Sequence, residues 1–241
     1  MKQRLYAAAL FVLISMQTYG LTIGVNANYP PFSSLADQQN QFMGFDIALM
    51  TEVCKRISMP CSFIPVVDTD VENALVAGTV DLAISAIIIP DKPPTYFLYS
   101  LPYLQSYAQF VVNQDSPIKT PADIKHQQVG TRTEPVYSDL LRKQYGNDIT
   151  LRTYPTLDNI MNDLHEKKID LVLTNAPALS YWLASGGGEY RMVGDKIPIG
   201  NGYGIMAYQG NEALVQKINQ AILEITNDGS YAPIYTRYFG E

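Results

Sequence analysis

Two cysteines, Cys54 and Cys61, are the only thiols in the 241-residue chain, and six residues separate them. A bridge can close that span if the helix carrying Cys54 stops before Cys61, as Pro60 predicts. A disulfide needs an oxidising compartment, and residues 1–20 read as the route to one. Lys2 and Arg4 form a charged start, Leu5 to Met16 is an apolar run short of a comfortable membrane span, and the small residues Thr18 and Gly20 suit cleavage after residue 20. The expectation is a cleaved secretory signal. No cysteine follows the apolar run, so the mature protein is expected free in the periplasm and not held as a lipoprotein. Two unbonded buried thiols in a cytosolic protein is the competing reading.

Other reactive residue types are not arranged for catalysis or metal binding. His126 lies in a polar stretch before a strand and His165 in a Lys/Glu-rich helix end, so both read as solvated surface groups. No set of His, Cys or carboxylates has metal-ligand spacing, and neither metal nor cofactor is expected. Gly186-Gly187-Gly188 lacks the lysine and hydroxyl residue of a phosphate loop and reads as a flexible turn.

Without its leader the chain has 221 residues, enough for one large domain or two lobes of about a hundred each. The leader holds two of the 17 basic residues and none of the 23 acidic ones, so the mature balance is −8. That sign argues against nucleic acid and anionic membrane surfaces as partners.

Strand and helix alternate along the mature chain. Leu21 to Val25 reads as a strand and Asn26 to Phe32 as the loop leaving it. A helix begins near Asp46, whose carboxylate is placed to cap it, with Ile47, Met50, Val53, Cys54 and Ile57 at helical spacing. Ser62 to Val67, Val71 to Ala77 and Val80 to Ile84 follow as strand, short helix and strand. A second unit of the same plan runs through strands at Gln127 to Thr131, Ile149 to Tyr154 and Ile169 to Thr174, with helices at Val136 to Gln144 and Leu157 to Glu166. Apolar strands at Gln109 to Asn113 and Tyr203 to Tyr208 lead in and out of it, and the helical stretches Glu212 to Thr226 and Tyr231 to Phe239 return to the first unit. Such alternation predicts parallel sheets with helices on both faces, and ligands in such sheets sit beyond the carboxyl ends of the strands. Two lobes joined at Gln109 to Val112 and Tyr203 to Ala207 would enclose a cleft fit for a small molecule.

Seven stretches in order carry a family resemblance: Ile23-Gly24 with Tyr29-Pro30-Pro31-Phe32, Gly44-Phe45-Asp46-Ile47, the Cys54 to Cys61 loop, Val80-Asp81-Leu82-Ala83, Val129-Gly130, Ile169-Asp170, and Asp228-Gly229-Ser230-Tyr231 with Tyr238-Phe239-Gly240. Together they span nearly all of the mature chain. The chain resembles periplasmic solute-binding proteins of the polar amino-acid type, in particular the histidine- and lysine/arginine/ornithine-binding proteins that feed ABC importers. The resemblance implies an α/β, two-lobed Venus-flytrap fold, each lobe a mostly parallel sheet flanked by helices, with a two-strand hinge. Lobe 1 would comprise 21–107 plus 205–241, and lobe 2 would comprise 108–204. It implies a small-molecule ligand trapped on closure, an inner-membrane ABC permease as partner, and a monomer.

Three positions depart from that pattern. The arginine that forks onto the ligand's α-carboxylate in relatives is Pro93 here, leaving Lys92 as the nearby cation. The Gly-Thr pair whose amides receive the same carboxylate reads Glu134-Pro135, and proline has no N–H. The aspartate that takes the α-ammonium is Asn175. Either the ligand lacks a zwitterionic head, or it binds in a changed orientation using Arg132, Lys92 and Glu134, or the chain is a degenerate member without a small ligand. Asp68, where relatives have an apolar or aromatic wall residue, and Glu134 opposite it point to a cationic ligand. The alternative is that Asp68 closes a turn and Glu134 pairs with Arg132, both solvated.

Tyr29 stands where relatives place an aromatic ring against the ligand's side chain, and Phe32 reads as core. Asn26 occupies a position that is aspartate in basic-amino-acid binders. Ser85 offers a contact at the end of the third strand, followed by the apolar Ala86, Ile87 and Ile88. Trp182, the lone tryptophan, reads as packing on a helix after Asn175. An import component is the leading reading. A ligand sensor read by a membrane receptor is the alternative, and a dehydratase-like enzyme using Glu134 as acid or base is a more distant one.

Overall fold

The computed structural model describes residues 20–36, 41–185 and 188–240. Residues 1–19 of the leader and Gly186-Gly187 lie outside the described residues. The first half runs β1 (Leu21–Val25), β2 (Asn28–Tyr29), β3 (Ser33–Ala36), β4 (Gln41–Met43), α1 (Phe45–Arg56), β5 (Cys61–Pro65), α2 (Val71–Val76), β6 (Leu82–Ala83) and β7 (Phe97–Tyr99). There follow β8 (Tyr107–Asn113), β9 (Gln128–Arg132), α3 (Pro135–Tyr145), β10 (Thr150–Tyr154), α4 (Leu157–His165), β11 (Leu171–Asn175), α5 (Ala176–Ala184) and β12 (Tyr190–Pro198). The chain ends with β13 (Met206–Tyr208), α6 (Glu212–Asn227) and α7 (Tyr231–Phe239).

Two five-stranded sheets form, in the orders β5-β1-β6-β13-β7 and β10-β9-β11-β8-β12. In each, three parallel strands are followed by one that runs against them, and the fifth strand pairs antiparallel with the fourth. The lobes share an internal brace. The Thr22 amide donates to Asp81 Oδ2 at 2.8 Å in one, and the Gln128 amide donates to Asp170 Oδ2 at 2.7 Å in the other. Each aspartate precedes the third strand of its unit and ties it to the first, which fixes where both strands end and so where the cleft opens.

Side-chain alternation divides the second lobe into two cores, as a pleated strand requires. Phe110 and Val112 of β8 face one side with Tyr137 and Leu141 of α3, whereas Val111 faces the other with Ile160 and Leu164 of α4 and Leu179 of α5. In the first lobe Phe45 is fully buried, and Phe239 of α7 packs edge-on against it with ring centroids 4.9 Å apart. Val215, Ile218 and Ile222 of α6 join that core, so the C-terminal helices cover the first lobe.

The chain crosses between sheets twice, between β7 and β8 and between β12 and β13. Backbone bonds clip the crossings together, from the Tyr203 amide to the Leu104 carbonyl at 2.8 Å and from the Tyr103 amide to the Tyr203 carbonyl at 2.9 Å. Gln109 to Val112, expected at the hinge, lie inside β8.

Asp46 does not cap α1. The helix's N-cap is Gly44, at φ 134°, where a Cβ would stand 2.2 Å from the Phe32 carbonyl oxygen. The first helical amides are met by the carbonyls of Pro31 and Phe32, both at 2.9 Å, leaving the carboxylate free for another role.

Cys54 and Cys61 are disulfide-bonded, with Cα atoms 6.1 Å apart, joining the last turns of α1 to the start of β5. Replacing both by serine should lower unfolding free energy by about 2–3 kcal/mol on loop-entropy grounds. Urea denaturation checks this, and an unchanged midpoint would contradict it.

Candidate functional site

A cavity of about 600 Å³ opens beyond the carboxyl ends of the parallel strands, where both lobes contribute to its walls. The first lobe supplies the loop after β1, with Asn26, Asn28 and Tyr29, and the loop after β5, with Val66, Val67, Asp68 and Thr69. The second lobe supplies Arg132 at the end of β9, Thr156, Leu157 and Asp158 at the start of α4, and Ala178, Tyr181, Trp182 and Ser185 along one face of α5.

Arg132 sits at the centre and is 2 % exposed. Its guanidinium carbon lies 5.0 Å from the centroid of the Tyr29 ring, within cation–π range. One amino group donates to Asp68 Oδ2 of the opposite lobe. The same group stands 3.1 Å from Glu134 Oε1, and Nε donates to Glu134 Oε2 at 3.3 Å. Burial pulls the guanidinium's pKa down, but Tyr29, Glu134 and Asp68 more than reverse this, and the net shift is upward. The charge is therefore permanent. Burial likewise pushes the Tyr29 hydroxyl up, so the ring stays neutral.

The partners are themselves held. Asp68 Oδ1 accepts from Asn26 Nδ2 at 2.8 Å, and the Asn26 amide donates to Ser85 Oγ at 2.7 Å. Ser85 Oγ also stands 3.2 Å from Ser33 Oγ. Across the mouth of the cleft Asn28 Nδ2 donates to Asp158 Oδ2 at 3.2 Å.

Of the residues singled out by sequence, Asn26, Tyr29, Asp68 and Arg132 line the cavity. Glu134 reaches it through Arg132, and Ser85 stands behind Asn26. Lys92 does not reach it and is exposed. Nor does Asn175, whose buried amide caps α5 by accepting from the Ala178 amide at 3.0 Å and donates to the Tyr203 hydroxyl at 2.6 Å. Trp182, read as packing, lines the cavity while its ring also packs edge-on against Tyr190, centroids 4.9 Å apart. Sequence reasoning missed Asn28, Asp158, Tyr181 and Ser185. Helical spacing held a signal for part of this set, because Ala178, Tyr181, Trp182 and Ser185 fall three or four residues apart and so share a face. Pro135 opens α3, so that helix start lacks an amide where an anion would need one.

The family model for bacterial extracellular solute-binding proteins, family 3, matches residues 21–241. The chain belongs to that family. Its members are solute-binding proteins of transport systems, not enzymes. Among family relatives, the chain is 29% identical over 245 residues to the putative ABC transporter arginine-binding protein 2 of Escherichia coli, covering 99% of each chain. To the lysine/arginine/ornithine-binding periplasmic protein of Escherichia coli it is 27% identical over 256 residues, covering 99% of this chain and 97% of the relative. Among solved structures, an arginine 3rd transport system periplasmic binding protein from Legionella pneumophila superposes with a TM-score of 0.86 at 33% identity, covering 92% of this chain and all of that one.

Beneath the cleft, Asp46 is fully buried and accepts from the Ala86 amide at 2.7 Å, while its Oδ1 has no hydrogen-bond partner among the described residues. The Tyr103 hydroxyl is near enough to bear on the carboxyl but also lacks a bond by distance and angle. Burial dominates and lifts the Asp46 pKa to about 7. A carboxyl raised in the folded state favours folding when protonated. Its contribution is complete below the unfolded value near 3.8 and is lost as pH rises through about 7. The stability of the wild type relative to Asp46→Asn should therefore fall between pH 4 and 8, by at most about 4 kcal/mol. Urea melts at several pH values check this, and a relative stability that rises with pH would contradict it.

Proposed function

We propose that this chain is the soluble, periplasmic solute-receiving component of an amino-acid-type ABC importer, exported by its cleaved leader. It acts as a monomer that closes its two lobes on one small polar molecule and presents the closed form to a membrane permease. The observation that carries this reading is the cavity of about 600 Å³ walled by strand-end loops from both lobes, since a ligand touching both stabilises closure.

The site's chemistry favours a solute with a positive group. Asp68, Asp158 and Glu134 are set against the single guanidinium of Arg132, so the cleft carries an excess of negative charge. Tyr181 and Trp182 offer an apolar wall for the solute's body. Relatives named for arginine, lysine and ornithine fit that charge preference. Pro93, Glu134-Pro135 and Asn175 give no support to the usual grip on a zwitterionic α-amino-acid head, so an amine or polyamine is favoured over a plain zwitterion.

Trp182, the lone tryptophan, makes the test direct. Titrating amino acids, polyamines and small carboxylates should reveal an amine that shifts Trp182 emission saturably. At a hundredfold excess over its Kd that amine should also raise unfolding free energy by about 2.7 kcal/mol. Submicromolar binding of glutamine or of a dicarboxylate, with amines inert, would contradict the charge preference. No response to any compound would contradict the binding role.

A further inference from the structure

We propose that Arg132 is a built-in occupant of the cleft: its guanidinium fills a cation seat made by Tyr29, Asp68 and Glu134, holding the lobes together without a solute and barring guanidinium ligands from that seat. The inference deepens the proposed function and rests on the cleft being the solute site.

The seat has the parts that a guanidinium requires. Tyr29 offers a ring face with the guanidinium carbon 5.0 Å from its centroid. Asp68 and Glu134 offer carboxylates from opposite lobes, and both meet the same amino group. The seat is also pre-organised from the first-lobe side, because Asn26 fixes Asp68 at 2.8 Å and Ser85 fixes the Asn26 backbone at 2.7 Å. Arg132 comes from β9 of the second lobe, whereas Tyr29 and Asp68 belong to the first. The contact thus spans the two bodies that must separate on opening, as a bound solute would span them.

The seat cannot hold a second cation while Arg132 is in place, since the side chain is only 3% exposed and already shares both carboxylates. Beside it the cavity remains open along Leu157, Tyr181 and Trp182. There Asp158 joins no ion pair among the described residues and meets only the neutral Asn28 amide. The solute's positive group is therefore directed to Asp158, and its apolar part to the Tyr181–Trp182 wall.

Methylguanidinium is the probe, used with the full-length mature protein. In Arg132→Ala the vacated seat should bind it saturably and about tenfold or more tighter than wild type does. The melting temperature should rise for that variant alone and not for Arg132→Ala/Tyr29→Ala. By small-angle X-ray scattering, wild type without solute should be compact, and Arg132→Ala should be more open until methylguanidinium is added. Should Arg132→Ala fail to fold, Asp68→Asn keeps the test alive, as it too should show an enlarged radius of gyration. Equal responses of wild type and Arg132→Ala, or an Asp68→Asn protein as compact as wild type, would overturn the proposal. Failure here alongside a Trp182-reported amine titration would leave the solute-binding reading standing. Rescue by methylguanidinium with no solute found would do the reverse.

Discussion

A guanidinium taken out of water has to be paired where it is buried, because an uncompensated buried charge is strongly destabilising. Arg132 meets that constraint with partners from both lobes: the Tyr29 face and Asp68 on one side, Glu134 on the other. The relative position of the two sheets is thereby tied to an electrostatic contact at the centre of the cleft. Asn26 and Ser85 exist in this arrangement to keep Asp68 where the guanidinium can find it.

The scaffold makes such a contact possible by building both halves alike. Asp81 and Asp170 each brace a third strand to a first strand, and Gly24 and Gly130 each leave room on the first strand for a neighbouring side chain. A Cβ at Gly130 would stand 2.5 Å from Ile169 Cδ1, so the end of that side chain would have to shift to make room. With strand ends fixed in each lobe, the loops that follow β1, β5 and β9 face one another across one opening. The two crossings run side by side, joined by the backbone bond from the Tyr203 amide to the Leu104 carbonyl.

Much of the fold was legible because apolar runs and helical spacing are local signals. The apolar run of β8 and the 3.6-residue period of α1 need no partner to be recognised. Short or polar strands are different. β2 has two residues, and β12 carries Arg191, Asp195 and Lys196 around a register shift between Val193 and Ile197, so its strand character comes only from pairing with β8. Asp46 shows the same limit, since a carboxylate at a helix start resembles a cap until the Ala86 amide, forty residues on, is seen to claim it. In the site, the proximity of Arg132 and Glu134 could be read from their spacing. The pairing of Arg132 with Asp68, 64 residues apart, joins one lobe to the other and has no local trace. Analogy of position alone puts Lys92 and Asn175 in the site, and the structure turns Lys92 to solvent and makes Asn175 a helix cap.

Arg132 and Asp68 should be energetically coupled across the cleft. A double-mutant cycle with Arg132→Met and Asp68→Asn, read by urea unfolding, measures that coupling directly. A favourable interaction of about 1–3 kcal/mol is the predicted result for a buried pair in contact. Additive effects, with a coupling indistinguishable from zero, would contradict it.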